Sequence, residues 1–137
     1  FALGAQGVQL ATRFIASEEC TAADEFKKMH LRAKEEDIVL VESPVGMTGR
    51  AIRNRFTEAL SRGELVQDVS CDDCLKRCTH AYCILDALDR SRKGDVDHGV
   101  VFSGASAARI NDILPVREII AQLVAGATRR LREIQPA

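Results

Sequence analysis

The sequence predicts an α/β protein, because short apolar runs alternate with amphipathic helices along it. Residues 38–41, Ile-Val-Leu-Val, form a short apolar run beside charged residues, which predicts a buried strand. After Pro115, apolar side chains recur at helical spacing up to Leu131, with the proline in the first turn, where it is favoured. The 137 residues, 46% of them hydrophobic, are enough to bury a single core.

The first third of the chain holds a predicted strand and a predicted helix. Residues 7–10, Gly-Val-Gln-Leu, predict a buried strand that ends in the small, polar turn Ala11-Thr12-Arg13. Thr21 and Asp24 resemble a capping box and predict the start of a helix. The inward-facing positions of this helix are Phe26, Met29, His30 and Ala33.

Turn formers separate the next elements. Residues 43–49 predict a loop that leads into a helix ending at Gly63. The predicted inner face of this helix consists of Ile52, Phe56, Ala59 and Leu60. Three arginines near its start, where the helix macrodipole disfavours cations, indicate that they have a partner: Arg50, Arg53 and Arg55.

The second half of the chain predicts another helix and an extended segment. The helix runs from about Tyr82 to Lys93 and is stopped by Gly94. Its predicted inward positions are Ile84, Leu85 and Leu88. Residues 100–102 predict an extended segment, and a glycine turn, Ser103-Gly104-Ala105-Ser106, follows it.

Charge and hydropathy exclude several classes of protein. Nineteen basic and twenty acidic side chains give a net charge of −1 without a long basic run, which predicts no nucleic-acid partner. No apolar stretch approaches the length of a membrane span, and no signal peptide is recognisable, so we expect a cytoplasmic protein without membrane contact. Residues 1–4 resemble the end of a helix stopped by glycine, which predicts that this is the C-terminal part of a longer chain.

Four of the five cysteines lie within a short polar segment: Cys71, Cys74, Cys78 and Cys83. Thiolates at such spacing suit zinc or an iron–sulfur cluster, although the spacing matches no standard signature of either. Reduced thiols and a redox-active disulfide are the alternatives, and Cys20 is predicted to be structural. The segment has few apolar residues, so we expect the four thiols to converge and anchor it.

The three histidines are not predicted to be catalytic. His30 belongs to the inner face of an amphipathic helix and is predicted to be packed. His98 lies in a hydrophilic turn, and His80 lies among the cysteines. A catalytic base must converge with a substrate pocket as well as have a suitable pKa, and no such pocket is indicated by the sequence.

Three segments, in order, resemble one enzyme family. "ALGAQGVQLATRF" followed by "ASEEC" is similar to the final barrel strand of the nitronate monooxygenase family, formerly called 2-nitropropane dioxygenases, which includes flavin-dependent enoyl-ACP reductases. "SPVGMTGRAIRNRF" resembles the segment after the barrel, and "GDVDHGVVFSGASAARINDILPVREIIAQL" resembles the closing segment. Enzymes of this family are (β/α)8 TIM barrels that bind FMN, and barrels commonly bind phosphate in the loops after strands seven and eight.

The resemblance implies a division of the chain and a cofactor site. Residues 1–37 would supply the last barrel strand and the helix after it, and residues 38–137 a mostly helical C-terminal extension. The main chain of the polar turn would bind the FMN phosphate, and the glycine turn would fold back towards the flavin. The implied cofactor-binding residues are Gly7, Gln9, Ala11, Thr12, Arg13, Ser103, Gly104 and Ser106. The family more often has glycine where this chain has Ala11.

The resemblance implies an FMN-dependent oxidoreductase that oxidises nitronates with oxygen. The alternatives are an NAD(P)H-dependent enoyl-ACP reductase of the same flavin family and a non-enzymatic, metal-stabilised interaction domain. The implied partners are a small-molecule substrate and the remainder of the barrel, with self-association into a homo-oligomer left open. The catalytic residues would lie on earlier barrel strands, so none is assigned in this chain, and we expect no turnover from these residues alone.

Overall fold

The computed structural model describes residues 3–64, 71, 74 and 76–134. Two helices come first, then two strands, and then three helices. They are α1 (Thr12–Ile15), α2 (Asp24–Arg32), β1 (Ile38–Glu42), β2 (Thr48–Ile52), α3 (Arg55–Ser61), α4 (Ile84–Arg92) and α5 (Val116–Ile134). Two short 3₁₀ turns, Glu35–Asp37 and Ala107–Arg109, precede β1 and follow the glycine turn. The mixed helix and strand content confirms the predicted α/β class.

A β-hairpin lies at the centre of the structure. β1 and β2 pair antiparallel from Ile38 opposite Ile52 to Glu42 opposite Thr48. The turn between them is closed by a hydrogen bond of 2.8 Å from the Ser43 N–H to the Met47 carbonyl. Gly46 in this turn has φ +84°, a conformation that favours glycine.

Residues 100–103 add an extended segment to the free edge of β2. The Ile52 N–H donates to the Val101 carbonyl at 2.9 Å, and the Ser103 N–H donates to the Arg50 carbonyl at 3.0 Å. A bridge between Ala51 and Phe102 lies between these bonds. The extended segment predicted at residues 100–102 is therefore confirmed, and it delivers the glycine turn to a fixed place beside the hairpin.

The helix predicted after the 43–49 loop begins later than expected. Residues 48–52 form β2, because this strand gains hydrogen bonds from β1 on one side and from residues 101–103 on the other. α3 starts at Arg55, where Asn54 caps it: the side-chain oxygen of Asn54 accepts from the Thr57 N–H at 2.9 Å. Arg50 thus lies on a strand, and the macrodipole argument for a partner does not apply to it.

The main core lies between the hairpin, α3 and α4. Its buried residues are Val41, Ala51, Phe56, Tyr82, Ala87 and Val100. The rings of Phe56 and Tyr82 meet edge to face, with centroids 5.2 Å apart, a favourable geometry for aromatic pairs. A second cluster of Ala33, Ile52 and Val101 joins α2 to the other side of the sheet.

The predicted strand at residues 7–10 is wrong for this structure. These residues form no strand, and the side chains of Val8 and Leu10 are 71% and 45% exposed. A buried strand needs hydrogen-bonding neighbours and cover for its apolar face, and the described residues provide neither here. The predicted capping role of Thr21 is also wrong, since Ala23 is the N-cap of α2 and no side chain caps that helix.

α4 confirms the helix predicted before Gly94, except that one of its predicted inward-facing residues is exposed. Gly94, with φ +106°, follows its last turn as expected, whereas Leu85 is 62% exposed rather than inward-facing. Gly99 lies directly against this helix, because a Cβ there would be 2.5 Å from the Ala87 carbonyl oxygen and 2.6 Å from the Ser91 nitrogen. Only glycine permits this approach, which sets the path of the chain into residues 100–103.

α5 is the longest helix, and it confirms the helix predicted after Pro115. Ile119 is its one buried side chain among nineteen residues, all of them described. The rest of its apolar face is open, with Ile120, Leu123, Val124 and Ile134 all more than 40% exposed. Within the described ranges, no helix combines the length and apolar character needed to cross a membrane.

Candidate functional site

The structure brings the two predicted phosphate-side segments together. The N–H of Gly104 donates to the hydroxyl oxygen of Thr12 at 2.8 Å, although the two residues are 92 positions apart. A Cβ on Gly104 would lie 3.2 Å from the same oxygen, so a side chain there would crowd the contact. The polar turn 11–13 and the glycine turn 103–106 therefore form one site.

Several hydrogen-bonding groups in this site have no partner among the residues that the structure describes. The N–H groups of Thr12 and Arg13 donate no hydrogen bond within the described part of the chain. The hydroxyl of Thr12 accepts from Gly104, which leaves its proton available for another acceptor. The hydroxyl oxygen of Ser103 is buried and has no partner among the described residues. Donors of this kind fit an oxygen-rich anion such as a phosphate.

Ala11 has a negative φ and does not adopt the left-handed conformation that favours glycine. Its φ is −130°, so the turn does not depend on glycine at this position. Its carbonyl accepts the Phe14 N–H at 2.9 Å, which begins α1. An alanine is thus compatible with the geometry of the turn.

The other predicted cofactor residues lie further from this contact network. Gly7 belongs to the exposed segment before α1, and a Cβ there would meet no atom within 4 Å. Gln9 is exposed in the same segment. Ser106 is exposed in the glycine turn, where its carbonyl accepts the Arg109 N–H at 3.0 Å.

A set of contacts ties residues 12–19 to the segment that leads into α5. The Arg13 guanidinium donates to the Asp112 carboxylate and, at 3.1 Å, to the Asp112 carbonyl. The Glu18 N–H donates to the Leu114 carbonyl at 3.2 Å. The Glu19 carboxylate accepts the Val116 N–H with oxygens at 2.9 and 3.0 Å, and so caps α5.

The roles of Asp112 and Glu19 were not predicted from the sequence. Each joins positions almost one hundred residues apart, and no local spacing signals such a pair. The one available signal was Pro115, which marks the start of α5. The first N–H groups of a helix need hydrogen-bond acceptors, and the residues next to Pro115 in sequence do not supply one. Lys27, also missed, is buried and donates to the Ser17 carbonyl at 2.8 Å, which holds α2 against the same strap of residues 12–19.

His30 is fully buried, which confirms its predicted packing. Its Nδ1 lies 3.0 Å from the Phe26 carbonyl, and its Nε2 has no partner of standard geometry among the described residues. Burial lowers the pKa of His30 from its usual value of 6.5, and the backbone carbonyls of Phe26 and Phe102 oppose this shift. His30 contacts the chain just before the glycine turn, which supports a structural role.

The lowered pKa of His30 predicts a loss of stability in mild acid. Below about pH 6.5, His30 is protonated in the unfolded chain but stays neutral in the folded chain. The free energy of unfolding should therefore fall as the pH drops from about 7 to 5. A His30→Phe variant should show a flatter dependence in urea titrations across this range, and His98→Asn, on an exposed turn, is the matched control. Equal slopes for wild type and His30→Phe would contradict the assignment.

Carboxyl groups affect the stability of the fold at lower pH than His30 does. Three exposed carboxyl groups have pKa values lowered mainly by hydrogen bonds from neighbouring cations: Glu25, Glu64 and Asp89. A carboxyl of lowered pKa stabilises the folded state above its unfolded pKa, and this contribution is lost only as the pH falls through the folded value. These groups therefore act below about pH 4.5, where they do not obscure the effect of His30.

The predicted convergence of the four clustered cysteines is not present. Among the described residues, which include all four, no group of three or more Cys, His, Asp or Glu side chains could hold a metal ion. Cys71 and Cys74 are exposed, whereas Cys78 and Cys83 are partly buried, with Cys83 at the N-cap of α4. At the C-terminal end of this segment, the Thr79 N–H donates to the Pro44 carbonyl at 2.9 Å, and Tyr82 is buried.

The other two histidines are exposed and lie outside the polar and glycine turns. His98 interacts with the Asp95 carboxylate at 2.7 Å in its turn. His80 has φ +56°, an uncommon conformation for a residue other than glycine, in the loop that leads to Tyr82. Nothing in these positions assigns either histidine a catalytic role.

Comparisons with known proteins agree with the resemblance. Probable nitronate monooxygenases of two Staphylococcus aureus strains, Newman and JH9, are 37% identical to the chain over 62 residues, which is 45% of this chain and 18% of theirs. FabK from Thermotoga maritima matches 98% of the chain with a TM-score of 0.74 and 27% identity, and its M276A mutant matches 97% with 0.73 and 25%. The chain spans 42% and 37% of those two structures.

The extent of one match identifies the family. The sequence profile described as nitronate monooxygenase matches residues 1–126, which contain both turns of the candidate site and the start of α5. The chain therefore belongs to the nitronate monooxygenase family.

Proposed function

We propose that this chain is the phosphate-binding part of an FMN-dependent oxidoreductase. The observation that carries the proposal is the contact between Thr12 and Gly104, which assembles the site from two distant turns. The family and FabK are flavin-dependent, which supports a flavin as the occupant. When bound, FMN would supply the redox chemistry, and the residues described above would hold its phosphate.

The groups at the site fit a phosphate monoester. Two unused N–H groups, at Thr12 and Arg13, and the Thr12 hydroxyl proton can all donate to phosphate oxygens. The buried Ser103 hydroxyl, which lacks a protein partner in the described ranges, adds a fourth donor next to Gly104. Two of these donors are main-chain N–H groups and two are neutral hydroxyls, so they bind by geometry and do not require a cluster of basic side chains.

The proposed reaction is the oxidation of nitronates with oxygen, in line with the family and with the Staphylococcus aureus relatives. A second candidate is NAD(P)H-dependent reduction of an enoyl thioester, and the likeness to FabK over 97–98% of the chain favours it. The two candidates share the flavin and differ in the substrate that meets it. The residues that face the substrate are proposed to lie outside this chain.

The proposed context of the chain is a larger (β/α)8 barrel. The relatives and the FabK structures are much longer than the matched part, and α5 leaves an apolar face open along most of its length. An exposed face of this size needs cover from other protein. We therefore propose that the rest of a barrel is the partner of this chain and that turnover requires both.

The test compares the 137-residue chain with the full-length protein. The full-length protein should carry flavin absorption bands, release FMN on denaturation, and turn over either a nitronate with oxygen or an enoyl thioester with NAD(P)H. The 137-residue chain should do none of these. A full-length protein without flavin would refute the proposed cofactor, and turnover by the short chain would refute the need for the barrel.

A further inference from the structure

We propose that the Arg13–Asp112 pair is a positioning device that fixes the phosphate-binding turn, and that the Arg13 guanidinium does not itself bind the phosphate. This inference rests on the proposed function, because it concerns how the same site is held. It adds Asp112, a residue outside both turns, to the set that determines FMN affinity. The contacts of the Arg13 side chain carry the inference.

The Arg13 guanidinium is engaged on several sides by protein oxygens. It donates at 3.1 Å to the carbonyl of Ala16 and at 3.1 Å to the carbonyl of Asp112. It also forms an ion pair with the Asp112 carboxylate, and its side chain is only 19% exposed. These contacts direct the charged group away from the free N–H groups of the turn and towards the segment before α5.

The turn needs such an anchor because it cannot hold itself. α1 has only four residues, and no side chain caps its N-terminus. A helix this short is unstable alone, since forming its first turn fixes several residues for very few hydrogen bonds. The direction of the Thr12 and Arg13 N–H groups therefore depends on tertiary contacts. Arg13 provides one of these contacts, because its side chain joins the end of α1 to a segment 99 positions away.

The experiment measures the affinity of the full-length apoprotein for FMN and for riboflavin, which lacks the phosphate, by flavin fluorescence. Arg13→Met should weaken FMN binding about tenfold or more, the usual cost of losing hydrogen bonds to a charged group. Asp112→Asn should also weaken FMN binding, with a smaller factor because the carbonyl contact remains. Riboflavin affinity should stay within about twofold in both variants, because the turn would contact only the phosphate.

Arg90→Met is the matched control, because Arg90 forms a comparable pair with Asp86 on α4, at 2.6 Å. This variant should bind both flavins as the wild type does. Asp112→Asn is nearly isosteric, so it keeps the test valid if Arg13→Met does not fold.

Each alternative result has a distinct meaning. An unchanged affinity of Asp112→Asn for FMN would show that the pair does not position the turn, and a tighter affinity would show direct binding by the guanidinium; either result would overturn the inference. Equal losses for FMN and riboflavin would show a general structural defect and would overturn it as well. A wild type that does not prefer FMN to riboflavin would instead refute the proposed phosphate site, and the inference with it.

Discussion

Replacing Phe56 by alanine is expected to lower the free energy of unfolding by about 3–5 kcal/mol, among the largest effects of any single change in this chain. The side chain is fully buried in the main core and packs edge to face on Tyr82. Its loss removes apolar area from the core and leaves a cavity between the hairpin, α3 and α4. Urea unfolding of the full-length protein, followed by circular dichroism, measures the change.

Two further variants make this measurement specific. Phe56→Leu keeps most of the apolar volume and should cost clearly less than the alanine variant. Leu40→Ala on β1, where the leucine is 70% exposed, should change stability by no more than about 0.5 kcal/mol. A Phe56→Ala variant as stable as Leu40→Ala would mean that α3 and α4 do not share a core in solution.

Replacing Thr12 by valine is expected to weaken FMN binding about 10- to 100-fold in the full-length protein. Valine keeps the shape of threonine but removes the hydroxyl that accepts from the Gly104 N–H and is free to donate to a phosphate. Two losses follow: the ligand loses one donor, and the glycine turn loses its link to α1. Fluorescence titration of the apoprotein with FMN measures the change.

Thr12→Ser is the matched control, since serine keeps the hydroxyl and should bind FMN within a few-fold of the wild type. Thr12→Pro should have a larger effect than valine, because it removes the N–H as well as the hydroxyl. Ala11 has ψ −58°, a value that a following proline disfavours, so this variant would also shift the turn. Equal FMN affinity of the valine and serine variants would exclude Thr12 as a phosphate ligand.

The parts of the fold that the sequence predicted are those with a local periodic signal. β1, α4 and α5 each carry a run or a spacing that needs no knowledge of distant residues. β2 was missed because Thr48-Gly-Arg-Ala-Ile is a weak strand sequence, which extends only because β1 and residues 101–103 bond to both of its edges. The wrong strand at residues 7–10 has the opposite cause: its sequence is suitable, but the described residues offer it no neighbour.

The candidate site was predictable only as separate pieces. The resemblance pointed to Thr12 and Gly104 individually, and their contact across 92 positions is a result of the fold. Asp112 belongs to no sequence motif, and its role comes from its ion pair with the guanidinium of Arg13. The predicted convergence of the cysteines is not found among the described residues, because close spacing in sequence does not by itself orient side chains towards one another.

The side chain of Asn54 links helix α3 to residues 96–99. Its side-chain oxygen caps α3 three residues away, while its amide nitrogen donates to the carbonyls of Val96 and Gly99, more than forty positions on. The Asn54 side chain can make all of these hydrogen bonds only when residues 96–99 are packed beside it. Helix α3 and residues 96–99, which lead into the extended segment at residues 100–103, should therefore open and close as one cooperative unit, so that their amide protons exchange with solvent through a shared event.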